Sequence, residues 1–163
     1  MDAIVAIEAL IKDPRKGLPE EVFLLISRLT PMVNVDLLIK DTLDRTLLTW
    51  REDDYFGSGW HIPGGIVRFK ELIADRIKIV AKEELGMEVE FDPQPLAINE
   101  VIHPTRKDRG HFISLLFRCY PITQPDEAKR YNFGKPEAGQ WKWHSTCPDD
   151  ILPVHEMYRK NIK

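Results

Sequence analysis

The chain has 163 residues, 43% of them hydrophobic, and a formal net charge of −3, which allows one domain with its own core and argues against a nucleic-acid-binding stripe. Its two cysteines, Cys119 and Cys147, lie far apart and read as a reduced, cytoplasmic chain rather than a disulfide scaffold. No apolar run approaches the ~18 residues of a membrane span, and the start, with Asp2 and Glu8, lacks the basic and apolar regions of a signal peptide.

Residues 1–12 (MDAIVAIEALIK) are amphipathic, with Ile4, Ile7 and Ile11 on one helical face. Asp13-Pro14 ends that helix. A second helix is expected from about Pro19 to Arg28, with Glu20 and Glu21 in the first turn, where carboxylates suit the dipole. Residues 32–40 (MVNVDLLIK) read as a strand that brings Asn34 and Asp36 to a pocket. Residues 46–51 read as the returning strand of a hairpin, and a polar loop with Tyr55 and Phe56 follows. Strands are expected at 88–91, 96–103, 111–120 (HFISLLFRCY) and 140–144, with a basic loop at 104–110, a long polar connection at 121–136 and a closing helix from about Pro148. The expected architecture is a mixed sheet with helices on both faces, an α/β/α sandwich. It spans residues 1–163 as a single domain, with an N-terminal helical extension over about 1–29.

Residues 60–87 (WHIPGGIVRFKELIADRIKIVAKEELGM) carry the chemistry. Pro63-Gly64-Gly65 reads as a tight turn. A helix is expected from Lys70 or Glu71 to Leu85, with Gly86 closing it in the left-handed position. At about 100° per residue, Ile73, Ile77, Val80, Ala81 and Glu84 share one face. Glu84 then interrupts an apolar stripe, where a lone anion is costly to bury and calls for a cation, a hydrogen-bonding backbone or a raised pKa. Glu83 flanks it near the negative pole of the helix. A divalent metal, which favours oxygen ligands, would relieve both carboxylates; a shift of the helix by one residue would instead leave both in solvent.

The spacing of Gly65, Glu71, Glu83-Glu84, Gly86 and Met87 resembles the Nudix box: Gly, five residues, Glu, seven residues, Arg-Glu, an aliphatic, any residue, Glu-Glu, any residue, Gly, an aliphatic. Ala81 occupies an aliphatic position, whereas Ile79 and Val80 stand at the Arg-Glu pair. Residues 30–36 (TPMVNVD), 47–51 (LLTWR) and 59–65 (GWHIPGG) are similar in order and spacing to the GDP-mannose mannosyl hydrolase branch, itself marked by a degenerate box. The resemblance covers most of residues 20–120. It implies the Nudix fold, a homodimer, and Mg2+-dependent hydrolysis of a nucleoside diphosphate sugar to nucleoside diphosphate and sugar, with Mn2+ as the alternative ion. Water would attack the anomeric carbon.

Carried onto this chain, the resemblance makes Glu84 the main metal ligand, with the Gly64 carbonyl and Glu137 as further candidates; Glu83, a carboxylate that the branch lacks, is a candidate from its place beside Glu84 on the helix. Arg51 would hold the diphosphate, a role suited to a planar, permanently charged donor. Asp36 would be a substrate-site carboxylate. His111 matches a histidine that neutralises the departing diphosphate better than His103 does. Ile66 and Ile79 replace arginines, and Ala138 falls where the branch has its general base. His103, Glu83 and Asp36 are the candidates for that role. Each residue has an ordinary alternative: a surface ion pair for Arg51, a solvated loop for His103, a satisfied core histidine for His111, a polar loop for Glu137. Asp36 interrupts an apolar strand, which favours a pocket. Two rival functions follow: phosphorus attack in the manner of other Nudix pyrophosphohydrolases, suggested by Glu83 beside Glu84, and a nucleotide-binding module without catalysis, suggested by Ile79, Val80 and Ala138.

Overall fold

The computed structural model describes residues 2–162, with only the backbone of Asp53; Met1, at the head of the first expected helix, lies outside them. The order of elements is α1 (Ala3–Glu8), α2 (Glu20–Ser27), β1 (Met32–Ile39), β2 (Thr46–Asp53), β3 (Gly57–His61), β4 (Gly64–Ile66), α3 (Ile73–Leu85), β5 (Val89–Phe91), β6 (Ala97–Ile102), β7 (His111–Pro121) and β8 (Trp141–His144), with a 3-10 segment at Pro153–Asn161.

Two sheets are formed. The larger is mixed, in the order β4-β1-β7-β5, with β6 also paired to β7. Its centre is the parallel pair β1 and β7, in register from Met32↔Phe112 to Ile39↔Cys119. Both strands are mostly aliphatic and aromatic, as a sheet covered on both faces requires, with Asn34, Asp36 and Ser114 as polar interruptions. The smaller sheet is antiparallel, in the order β3-β2-β8. Successive residues of β1 face opposite ways. Val35, Leu37 and Ile39 join Ile77, Val80, Ala81 and Leu85 of α3 in one core. Leu38 joins Trp50, Trp60, Ile62, Leu116, Tyr158 and Ile162 in the other.

The hairpin expected between residues 32–40 and 46–51 does not form. Only an isolated bridge, Lys40↔Thr46, joins β1 to β2, and β2 pairs with β3 and β8 instead. Leu47 and Leu48 explain this: both are fully buried, one in each core, so β2 leaves the plane of β1 to be covered on both faces.

α3 buries the expected Ile77, Val80 and Ala81, but Ile73 is exposed and Arg76 is buried instead. Gly86 is left-handed (φ 64°), and its N–H and that of Met87 donate back to Lys82 and Ala81. The helix starts at Ile73 rather than at 70 or 71 because Glu71 serves the preceding loop. Its Oε2 accepts from the Arg68 N–H at 2.8 Å and from Arg76 Nε at 2.8 Å, and Arg76 Nη2 donates to Oε1 at 2.7 Å. α1 buries none of its residues. α2 is tied to the loop before β7: the Arg109 N–H donates to Ser27 Oγ, and Arg28 pairs with Asp108. The expected closing helix is 3-10 and begins at Pro153. Among the described residues no helix is long and apolar enough to cross a membrane.

Candidate active site

Gly64 sits on β4 opposite Asp36 of β1. A Cβ at Gly64 would lie 2.5 Å from Asp36 Oδ1 and 2.7 Å from the Val35 carbonyl, and one at Gly65 2.8 Å from Val80 Cγ2. Neither glycine has a positive φ. The pair is therefore needed for close approach of the backbone to β1 and α3, rather than for the turn freedom expected from the sequence. That approach brings the Gly64 N–H to the Glu84 carboxylate, to which it donates.

Glu84 is half-buried at the end of the apolar face of α3. Burial pushes its pKa up to about 7, and the nearby Asp36 and Glu83 carboxylates add to the shift; the Gly64 N–H and the Arg51 guanidinium oppose it. Glu83 and Glu84 open into a cavity of about 410 Å3 together with Arg51, His61, Gly64 and Lys129. A larger cavity of about 520 Å3 shares Arg51 and Gly64 with it. Asn34, Ser114 and His155 also line the larger cavity, along with Arg68, Arg76, Arg109 and the aromatic rings of Phe23 and Phe112. Arg51 stacks on Phe56, 4.6 Å from the ring centre.

Asp36 is 1% exposed. Burial raises its pKa to about 6, against hydrogen bonds from Tyr158, Asn34 and Ser114. Tyr158 Oη donates to Oδ2 at 2.6 Å, and Asn34 Nδ2 to Oδ1 at 2.7 Å. His155 Nδ1 accepts the Ile62 N–H at 2.9 Å, so the neutral ring carries its proton on Nε2, 4.0 Å from Asp36 Oδ1. Burial, followed by the Arg51 charge, holds His155 down to about 3.

Of the residues singled out in the sequence, Arg51, Gly64, Glu83 and Glu84 converge on one cavity, with Asp36 directly behind Gly64. The others lie apart. His103 is exposed and lines a third cavity, of about 490 Å3, with Tyr55, Phe56 and Arg106; its Nδ1 accepts the Arg106 N–H at 3.2 Å. His111 pairs with Glu100 at 3.4 Å. Glu137 is exposed, and its neighbours Ala138 and Gly139 reach the Glu84 cavity in its place.

Motif spacing does not reach three further residues at or behind the site: His61, His155 and Tyr158. His61 Nδ1 lies 2.8 Å from the Thr49 carbonyl, to which it donates. The signal was its position inside an apolar strand next to the Pro-Gly-Gly stretch. His155 and Tyr158 are buried, with Leu152, at the three-residue spacing of a 3-10 helix, a period that the expectation of an α-helix passes over.

The resemblance to Nudix hydrolases implies a divalent cation, and the donors suit one. Glu83 and Glu84 are hard oxygen ligands, and Glu84 forms no ion pair among the described residues, so a cation would relieve its burial. Among the described residues no three His, Cys, Asp or Glu side chains gather as a metal cluster.

No family model matches the chain. The fold is that of the Nudix hydrolases. The MutT Nudix hydrolase of Burkholderia pseudomallei superposes with a TM-score of 0.65 over 82% of this chain and 99% of that one, at 19% identity. The MutT protein of Methanosarcina mazei Go1 gives 0.61 over 82% and 94%, at 17% identity. A UDP-X diphosphatase gives 0.59 over 99% of this chain and 68% of that one, at 15% identity. In sequence, the chain is 34% identical over 108 residues to the low-salt glycan biosynthesis protein Agl8 of Haloferax volcanii, covering 64% of this chain and 68% of that protein. It belongs to the family of that protein.

Proposed function

We propose that the protein is a Mg2+-dependent hydrolase of a nucleoside diphosphate sugar, GDP-mannose-like in class, releasing nucleoside diphosphate and sugar. The observation that carries this reading is the placing of Arg51 between two cavities, one floored by Glu83 and Glu84 and the other large enough for much of a nucleotide sugar. The kinship with a glycan biosynthesis protein supports the sugar. The UDP-X diphosphatase among the structural neighbours supports the nucleotide diphosphate.

In this reading Glu84, Glu83 and the Gly64 carbonyl would hold the ion, which when bound would supply Lewis-acid neutralisation of the leaving diphosphate; Glu137, exposed on the loop of Ala138 and Gly139, does not line their cavity. Arg51 binds the diphosphate. Asp36 shapes the substrate side from beneath Gly64. The general base that the sequence left among His103, Glu83 and Asp36 gains a better candidate in His61. It lines the Glu84 cavity, and its Nδ1–H donates to the Thr49 carbonyl. His111, paired with Glu100, serves the diphosphate only if that pair opens. The catalytic unit is one domain whose N-terminal extension, through Pro14, Gly17, Leu18 and Phe23, walls the larger cavity; the resemblance adds a homodimer, and the two distant cysteines a cytoplasmic setting.

Phosphorus attack is the second reading, favoured by two adjacent carboxylates that can hold more than one ion. Hydrolysis of GDP-mannose in 18O-water with Mg2+ separates the two. Label in the sugar supports carbon attack; label in a phosphate, with release of a nucleoside monophosphate, replaces it with phosphorus attack. Ligand-induced stabilisation without turnover across a panel of nucleotide sugars would reject both.

A further inference from the structure

The geometry points to Tyr158 and His155 as positioning residues of the site: the C-terminal segment fixes Asp36 and the stretch from Ile62 to Gly64 so that the Gly64 N–H meets Glu84. The inference rests on the reading that Glu84 is the centre of the site, but not on the identity of the substrate.

The chain of contacts is continuous. Tyr158 is 1% exposed, and its hydroxyl donates to Asp36 Oδ2 at 2.6 Å. His155 is 9% exposed, and its Nδ1 takes the Ile62 N–H at 2.9 Å. From Ile62 the chain passes to Pro63, whose carbonyl accepts the Leu37 N–H at 2.8 Å, and then to Gly64, where even a Cβ would lie 2.5 Å from Asp36 Oδ1. The C-terminal segment thus grips both sides of one contact, the carboxylate on β1 and the backbone on β4. Tyr158 also packs in the core formed with Trp60, Ile62 and Leu116, so its ring supplies stability while its hydroxyl supplies register. A buried carboxylate with several hydrogen-bond donors is a rigid reference point, and outer partners of this kind change metal affinity or activity by ~10–100-fold when removed.

Tyr158→Phe removes the hydroxyl and keeps the ring. The expected result is a kcat lowered ~10–100-fold with KM within about twofold, together with Mn2+ binding in the absence of substrate, read from the free-ion paramagnetic resonance signal, weakened ~10-fold. Both remaining within about twofold of the wild type would overturn the inference. Asp36→Asn combined with Tyr158→Phe should cost no more than the worse single variant, because the two act through one contact; additive losses would overturn it. His155→Gln keeps an acceptor for the Ile62 N–H and should retain activity that His155→Ala loses; equal losses remove His155 from the proposal. Amide exchange supplies an arm free of substrate and metal. In Tyr158→Phe the Ile62 and Gly64 N–H groups should exchange faster while those of Ile77 and Ala81 stay protected. Uniform acceleration would reduce the role to stability. Should the wild type hydrolyse no nucleotide sugar, the functional proposal falls, while the Mn2+ and exchange measurements still decide this one.

Discussion

Arg76 is 4% exposed and sits bidentate on Glu71, itself nearly buried. The pair explains a departure in the sequence, where Ile79 stands at the position of the box arginine. Residues 76 and 79 are neighbours on one helix surface, so the cation that Glu71 requires comes from a turn earlier. Spacing could not reveal this, because a motif counts residues while the helix brings i and i+3 together. Arg76→Met should strand the Glu71 charge and cost ~3–5 kcal/mol, read as a shift in the urea midpoint, and adding Ile79→Arg should recover part of it. Glu84 was legible because a carboxylate in an apolar stripe needs a cause. Glu84→Gln should lower kcat by at least ~100-fold, as expected when several kcal/mol of charge stabilisation are lost, while circular dichroism stays that of the wild type, since a neutral amide suits the half-buried site. A variant with full turnover would remove Glu84 from the mechanism.

At the scale of elements, α3 and β7 could be read from period and composition, and both form close to their expected limits. β2 was found but mispaired, because Leu47 and Leu48 look alike in sequence and only packing shows that they serve separate cores. The Pro63-Gly64-Gly65 stretch was recognised, but for the wrong reason. Its glycines answer to the atoms of Asp36, Val35 and Val80, which arrive from distant parts of the chain. Gly64→Ala tests this. The added methyl meets backbone as well as a side chain, so a loss of ~1–3 kcal/mol is expected, with activity falling further than stability because the N–H to Glu84 moves. Thermal melts and initial rates on the same preparation give both quantities.

At the scale of the molecule, pH dependence follows from buried groups of opposite sense. Burial holds His144 down to about 4 and His155 down to about 3, whereas unfolded histidines titrate near 6.5. Below pH ~6.5 the unfolded chain therefore binds more protons at these positions, and their effect is to lower stability as the pH falls. Asp36 and Glu84, raised to about 6 and about 7, bind more protons when folded and act the other way, so the wild-type profile is flattened. His144 packs on Trp60 at 4.8 Å, away from the Glu84 cavity. His144→Gln should therefore change the slope alone. The stability of the variant relative to wild type should rise by ~1.4 kcal/mol for each pH unit from ~6.5 to ~4, measured by urea unfolding across that range. A constant difference would show that His144 titrates normally in the folded protein. The C-terminal contribution to both core and site escaped the sequence because its partners lie about a hundred residues away, as with the Tyr158–Asp36 contact.

The alternation of β1 has a consequence for how the protein can change. Positions 35, 37 and 39 pack in the hydrophobic core with α3, and position 36 meets the Tyr158 hydroxyl from the far end of the chain. In a saturation library scored for cellular abundance and for turnover, polar substitutions at the three odd positions should deplete both scores together. At position 36 many variants should accumulate yet fail to turn over substrate. One strand would then carry two separable records of selection, interleaved residue by residue.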